Sequence, residues 1–305
     1  MTKREHIHEF KYIIYPVTGE SEEKNMNDLV REKNRRLGEI LKDMGRVLVA
    51  FSGGVDSALV LKRAQEELGD NVLAVVVKSE LFREEEFTGA VKLAEKMGVR
   101  VMETEMKELS HPLIVANNPD SWYYSKKMLY SHLKEIAEEQ GYPYVLDGMI
   151  MDDMDDFRPG LRARTEEGAR SVLQEAGIYK NEVREIAKSI DVPVWDKPAS
   201  CSLASRIPYG TQLSKEKINQ VNKAELFVMN LGITHVRVRH HGDLARIEVN
   251  QDEMTTLLAH HKEIHKKLLE LGFSYVSMDL LGYRTGSMNE ILEESTKEVH
   301  LEAVK

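Results

Sequence analysis

Two short stretches of this chain carry residue types that could do chemistry. The first, Ser52-Gly53-Gly54-Val55-Asp56-Ser57, follows the apolar run Val47-Leu48-Val49-Ala50-Phe51 and opens a helical pattern from Ser57 to Leu68. Paired glycines let backbone N–H groups close around an anion, and the N-terminus of the following helix adds favourable partial charge. Ser52 and Ser57 can donate to phosphate oxygens, and Asp56 can hold a magnesium ion that neutralises a pyrophosphate. Two glycines alone would be an ordinary turn, but the whole hexapeptide between strand and helix reads as a nucleotide loop. No Gly-x-x-x-x-Gly-Lys-Ser/Thr sequence occurs, which disfavours a loop that transfers the γ-phosphate.

The second stretch surrounds Cys201, the single cysteine of the chain, so an internal disulfide, a Cys-x-x-Cys redox pair and a multi-cysteine zinc site are all ruled out. A lone thiol is commonly a small buried hydrophobe. An attacking thiolate needs polar surroundings and a nearby cation instead, and Lys197, Ser200, Ser202 and Arg206 offer both. Further on, Arg237 and Arg239 sit two apart in a strand-like alternation, leaving one face while Val236 and Val238 leave the other. Two guanidinium forks on one face suit a phosphate, and a solvated strand face is the other reading. The adjacent pairs His240-His241 and His260-His261 cannot share a face, which argues against zinc and for solvated or capping roles. Asp152, Asp153, Asp155 and Asp156 lack a calcium-loop spacing and read as a solvated loop anchoring Arg158.

The elements that must position these residues follow from apolar periodicity. Runs at Val47 to Phe51, Val72 to Val77, Val99 to Met102 and Tyr144 to Leu146 resemble buried parallel strands. Helical patterns at Ser57 to Leu68, Glu84 to Met97 and Tyr123 to Gln140 lie between them, so the fold expected is α/β with a doubly wound parallel sheet. Leu29, Leu37, Ile40, Leu41 and Met44 mark an amphipathic leading helix, and residues 1–25 carry no legible chemistry. After Pro208-Tyr209-Gly210 the pattern changes to a helix from Lys215 to Asn230, a hairpin turning at His241-Gly242-Asp243, a helix from Glu253 to Leu271 and a strand at Tyr275 to Asp279. The expected division is therefore 1–44 as an extension with the leading helix, 45–209 as the nucleotide domain and 210–305 as a smaller α/β domain for substrate and oligomerisation.

A chain of 305 residues with 42% hydrophobic content can bury a sizeable core and suggests two domains. The net charge of −9 argues against a broad grip on nucleic acid. No apolar run reaches about 18 residues and the opening residues lack the apolar core of a secretory signal, so the expectation is a cytoplasmic protein without membrane contact.

The loop resembles that of the PP-loop ATP pyrophosphatases, which implies cleavage between the α and β phosphates, release of pyrophosphate and transfer of AMP to a carboxylate or amide oxygen. In that class the end of the second strand approaches adenine, here Val77-Lys78-Ser79, although Lys78 reads equally as a solvated surface lysine. Within the class, Val194 to Gly210, Asp156-x-Arg158-Pro159-Gly160, Ala245-Arg246-Ile247-Glu248 and Gly282 to Asn289 resemble the LarE family of sulfur transferases, which complete the nickel-pincer nucleotide cofactor of lactate racemase.

That resemblance implies ATP and magnesium, a pyridinium-3,5-dicarboxylate mononucleotide substrate, and a homo-oligomer, specifically a homohexamer. It also implies that an adenylated carboxylate is captured by Cys201 as a thioester and released as a thiocarboxylate, leaving dehydroalanine. Gly148, in the loop after the fourth strand, would lie at the nucleotide, with Met149 and Ile150 departing from an expected threonine and asparagine. Trp122, Lys126, Ser205, Arg206, Arg237 and Arg239 would surround the substrate and its phosphate, and Glu225 and Glu248 would either lie near a divalent ion or be solvated. Some members carry a Cys-x-x-Cys element where Trp122 and Ser125 stand here, and one thiolate cannot supply three cluster ligands, so no iron–sulfur cluster is expected. An amide-forming ligase related to NAD or GMP synthetases and a nucleotide-sensing scaffold are the competing readings. RNA thiolation would call for a second cysteine and a basic surface, and neither is present.

Overall fold

In a strand buried on both faces every side chain meets protein; the runs Val47 to Phe51 and Val72 to Val77 obey this, while Val99 to Met102 lies in an edge strand with Arg100 exposed. The computed structural model describes residues 27–154, 159–284, 286–290 and 292, so Asp155, Asp156, Arg158, Thr285 and the first 25 residues lie outside it. Helix α1 (Asp28–Met44) leads into β1 (Val47–Ala50), α2 (Val55–Leu68), β2 (Val72–Ser79), α3 (Glu84–Lys96) and β3 (Arg100–Met106). After α4 (Pro112–Val115) and α5 (Ser121–Gln140) come β4 (Tyr144–Leu146), α6 (Gly160–Glu167), α7 (Val172–Glu175) and α8 (Lys180–Ser189). The strands are parallel in the order β3-β2-β1-β4.

Alternation divides the strand residues between two cores. Val47, Val49, Ala74 and Val76 pack with Leu37 and Leu41 of α1, Leu59 of α2, Leu93 of α3 and Ile186 of α8. Leu48, Leu73 and Val75 pack with Leu133, Ile136 and Ala137 of α5 on the opposite face. The sheet is therefore covered on both sides, as doubly wound sheets are. Because the chain returns past β1 to place β4, the strand order reverses between β1 and β4, and a crevice opens beyond their carboxyl ends. The leading helix buries Val30, Leu37, Leu41 and Met44, whereas Leu29, read as part of its apolar stripe, is exposed.

The second layer begins with α9 (Lys215–Met229) and the hairpin of β5 (Val236–His241) and β6 (Leu244–Val249). Gly242, at φ 64°, makes their two-residue turn with Asp243. Then follow α10 (Met254–Ala259), α11 (His261–Glu270) and β7 (Tyr275–Met278), which pairs parallel to β6. One helix was expected from Glu253 to Leu271, but the helix breaks at His260, which stands at the N-cap position of the second piece and whose ring bonds the Glu263 side chain instead of a backbone N–H. His240 is likewise not solvated: it is buried against Phe273, with ring centroids 5.5 Å apart, and its Nε2 meets Gln220 at 3.1 Å.

Glu225 of α9 fastens the two layers together with no exposure to solvent. Its Oε1 accepts from Arg206 Nε at 2.9 Å and from the Val238 N–H at 2.9 Å, and its Oε2 accepts from Arg206 Nη2 and from Arg83, between β2 and α3. Burial alone would raise the Glu225 carboxyl, but Arg206, by charge and hydrogen bond, and then Arg83 and Arg237 outweigh it and hold it below the usual range. A carboxyl lowered in this way contributes stability that is complete above its ordinary pKa and is lost as pH falls through its native value. Glu225→Gln should cost about 3–5 kcal/mol, the range for a broken buried ion pair. It should also remove this part of the acid sensitivity, both read from urea unfolding at pH 7 and below the carboxylate range.

Candidate active site

The phosphate loop lies at the crevice and its glycines differ in their reasons. Gly53 has φ 70°, where a side chain is strained, and a Cβ there would meet Ala90 Cβ at 2.9 Å. Gly54 is the N-cap of α2, and no side chain caps that first turn. The loop is tied within itself: Ser57 Oγ donates to Gly54 O at 3.1 Å and lies 3.0 Å from Ser52 Oγ. Gly148 presses the loop after β4 onto this turn, since a Cβ on it would stand 2.7 Å from the Ser57 nitrogen. Asp147 sets that loop by accepting from Tyr130 at 2.6 Å, Ser171 at 2.6 Å and the Met149 N–H at 3.1 Å. Met149 and Ile150, the departure from the family pattern, are buried there.

Asp56 is held by a residue that the sequence reading missed. Lys180, first residue of α8, donates to both carboxylate oxygens at 2.7 Å. A lysine in the first turn opposes the helix dipole, and that unfavourable placement was the available clue. The preceding acidic run was expected to be a solvated loop, and where it is described this holds for the exposed Asp152 but not for Asp153. Asp153 is buried and accepts the Ile150 N–H at 2.9 Å, while Asp152 accepts the Lys180 N–H at 2.8 Å.

A cavity of about 950 Å³ extends from this loop to the second sheet. Ser52, Asp56, Ser57, Lys78, Ser79 and Gly148 line it on the nucleotide side. Trp122, Lys126, Cys201, Ser205, Arg237 and Arg239 line the same space. Gly53, Gly54, Arg206, Glu225 and Glu248 are not among the residues that line it. Lys78 pairs with Glu84 at 2.7 Å and lies over the Phe87 ring at 5.7 Å. Ser79 and Ser125 both donate to Glu108, a buried carboxylate also missed from sequence. Trp122 donates to the Tyr209 hydroxyl at 3.2 Å, and the Lys126 ammonium sits 5.9 Å from the centre of the Tyr130 ring.

Cys201 is exposed at this cavity, which removes the buried-hydrophobe reading. Residues 197–202 form no helix or strand, so side chains satisfy their carbonyls. Arg206 donates to Cys201 O at 3.1 Å, Ser202 O at 2.9 Å and Ser205 Oγ at 2.8 Å, and Arg237 donates to Ala199 O at 3.1 Å. Ser200 bonds Glu86. Lys197, one of the two cations read beside the thiol, spends its ammonium on Gly53 O at 3.0 Å.

Arg237 and Arg239 are buried, not spread on a solvated face. Burial and then the like charge of Arg206 lower the Arg237 pKa, while Glu225, Cys201 and Tyr283 act in the opposite sense. Arg237 forms no ion pair among the described residues, so an anion in the cavity would relieve a destabilised cation. Arg239 is balanced instead, donating to Glu248 at 2.7 Å, Ser287 at 2.8 Å and Ser205 O at 2.9 Å, although its buried Nε has no partner among the described residues. Glu248 is fully buried between Arg239 and Arg246, so it and Glu225 are not solvated surface glutamates.

A parallel sheet with an anion loop at its switch point and no P-loop lysine defines an ATP-using enzyme of the PP-loop class, and the NAD synthase family model matches residues 29–122. Pyridinium-3,5-bisthiocarboxylic acid mononucleotide synthase of Lactiplantibacillus plantarum is 50% identical over 264 residues, 86% of this chain and 96% of that protein. An uncharacterised Synechocystis protein is 37% identical over 266 residues, 87% and 99% of the two chains. A glutamine-hydrolysing GMP synthase component from Archaeoglobus fulgidus is 25% identical over 222 residues, 67% and 70%. The chain belongs to the LarE family of ATP-dependent sulfur transferases.

Gly148→Ala should lower the unfolding free energy by about 1–3 kcal/mol, because the atom it strikes is backbone and cannot rotate away. It should also weaken ATP binding measured by calorimetry. Gly54→Ala, whose Cβ would meet only Ser52 Oγ at 3.4 Å, should leave the unfolding midpoint nearly unchanged.

Proposed function

We propose that this protein adenylates a carboxylate of pyridinium-3,5-dicarboxylate mononucleotide and gives it the sulfur of Cys201, in maturation of a nickel-pincer nucleotide cofactor such as that of lactate racemase. The observation that carries the proposal is that the phosphate loop, the only thiol of the chain and a buried arginine with no ion pair among the described residues open onto one cavity. The loop and the first turn of α2 receive the ATP phosphates. Magnesium would be held beside them by Asp56, which lines the cavity and whose hard carboxylate oxygens Lys180 holds in place, and its charge would favour departure of pyrophosphate. Arg237 and Arg239, with Ser205 and Lys126, take the substrate phosphate, and Trp122 flanks the substrate.

In the chemistry that follows, a substrate carboxylate oxygen attacks the α-phosphorus and pyrophosphate leaves. The Cys201 thiolate then attacks the acyl carbon, forming a C–S bond as AMP departs. Removal of the Cys201 Cα proton drives the electron pair into a Cα–Cβ double bond and breaks Cβ–S. The product leaves as a thiocarboxylate and residue 201 remains as dehydroalanine. A chain with one cysteine lacks the thiolates that a cluster with a replaceable sulfide needs, which favours this sacrificial route. Glu225 and Glu248 act in the proposal as buried partners that orient Arg206 and Arg239.

No helix among the described residues is long and apolar enough to cross a membrane. The reading takes the protein as cytoplasmic and as a homohexamer, with 45–209 binding nucleotide and 210–305 binding substrate and neighbouring copies. An amide-forming ligase is the second reading, favoured by the NAD synthase match, but that match ends at Trp122, well short of Cys201.

Incubated with ATP, magnesium and the dicarboxylate mononucleotide, the protein should lose the mass of one hydrogen sulfide as thiocarboxylate appears. Cys201→Ala should release pyrophosphate yet make no thiolated product. Ammonia-dependent amide formation with unchanged protein mass would establish the ligase instead. Arg237→Gln should raise the half-saturating mononucleotide concentration of the single turnover about tenfold to a hundredfold, the worth of a charge-assisted hydrogen bond.

A further inference from the structure

The segment that carries Cys201 is joined to the phosphate loop by a closed ring of contacts. Lys180 and Arg184 stand four residues apart on α8 and so share a face. Lys180 grips Asp56 at the start of α2. One turn later Arg184 forks onto two carbonyls of the cysteine segment, donating to Trp195 O at 2.8 Å and Lys197 O at 3.0 Å. The Lys197 side chain then returns to the phosphate loop at Gly53 O, 3.0 Å away. Four contacts thus lead from the loop, through α8 and the segment, back to the loop. Arg184 lies outside the cavity wall, and nothing in the proposed adenylation calls on it.

We infer that Arg184 and Lys197 are positioning residues that register the cysteine segment against the phosphate loop, so that the acyl adenylate formed there is captured by Cys201 before water reaches it. The inference rests on the proposed sulfur transfer. An adenylate that misses the thiol is hydrolysed: water attacks the acyl carbon, AMP leaves and the original carboxylate is restored. Pyrophosphate is then released without loss of sulfur. Capture depends on near-attack geometry, and a displacement of about 1 Å costs on the order of a hundredfold in rate. A planar fork onto two successive anchor points fixes both distance and direction, which a single ammonium cannot do.

The test measures pyrophosphate released and Cys201 converted, by intact mass, in the same reaction of the full chain with ATP, magnesium and the dicarboxylate mononucleotide. Arg184→Gln should keep the pyrophosphate rate, the ATP affinity and the urea midpoint close to those of the unsubstituted protein. Its conversion of Cys201 per pyrophosphate should fall about tenfold to a hundredfold. Arg184→Lys, which reaches one carbonyl, should recover part of the ratio. An unchanged ratio in Arg184→Gln overturns the inference. A parallel fall of pyrophosphate and conversion also overturns it, since the arginine would then serve adenylation or folding. An unsubstituted protein that releases no pyrophosphate, or makes thiocarboxylate without mass loss, brings down the proposed function and this inference with it.

Discussion

A carboxylate shut away from water must find a donor for each lone pair, and Glu225 takes its donors from across the chain. Arg83 comes from the edge of the nucleotide crevice, Arg206 from the end of the cysteine segment and the Val238 amide from the second sheet. One ion cluster therefore fixes the parallel sheet, the thiol and the arginine strand relative to each other. Arg206 then passes that constraint on, donating to Cys201 O and Ser202 O from the same guanidinium. Its own burial would lower its pKa, but the Glu225 charge outweighs this and keeps it firmly cationic.

The rest of the site follows from where a doubly wound sheet leaves room. At the switch point between β1 and β4 no strand continues, so loops converge there, and Gly148 lets two of them approach more closely than any side chain would allow. The cysteine segment crosses this gap without a ladder. Arginines from α8, from the short turn after Cys201 and from β5 replace the missing backbone partners.

The sequence made local features legible and distant partnerships illegible. The apolar runs of β1 and β2 could be read because burial on both faces demands unbroken hydrophobicity, and Ser52 to Ser57 because a strand, a glycine pair and a helix start are contiguous. Cys201, Arg237 and Arg239 line one cavity. Lys180 was missed because its partner Asp56 lies 124 residues away, and Arg83 because Glu225 lies 142 residues away. Asp153 and His240 were read as solvated from their polarity, yet each is buried with a partner that only tertiary packing supplies. The break at His260 escaped notice because apolar periodicity runs through both helices, and the interruption is marked by the ring contacts of His260 with Glu263 and of His261 with Leu258 O.

The tethers of the cysteine segment engage carbonyl oxygens of Trp195, Lys197, Ala199, Cys201 and Ser202, and none of them uses sulfur. A chain that had surrendered its sulfur would keep every one of these attachments along with the whole anion loop. Exhausted molecules would therefore persist as well-folded nucleotide binders, drawing on the same ATP pool as fresh ones and presenting no unfolded surface by which a protease could tell them apart.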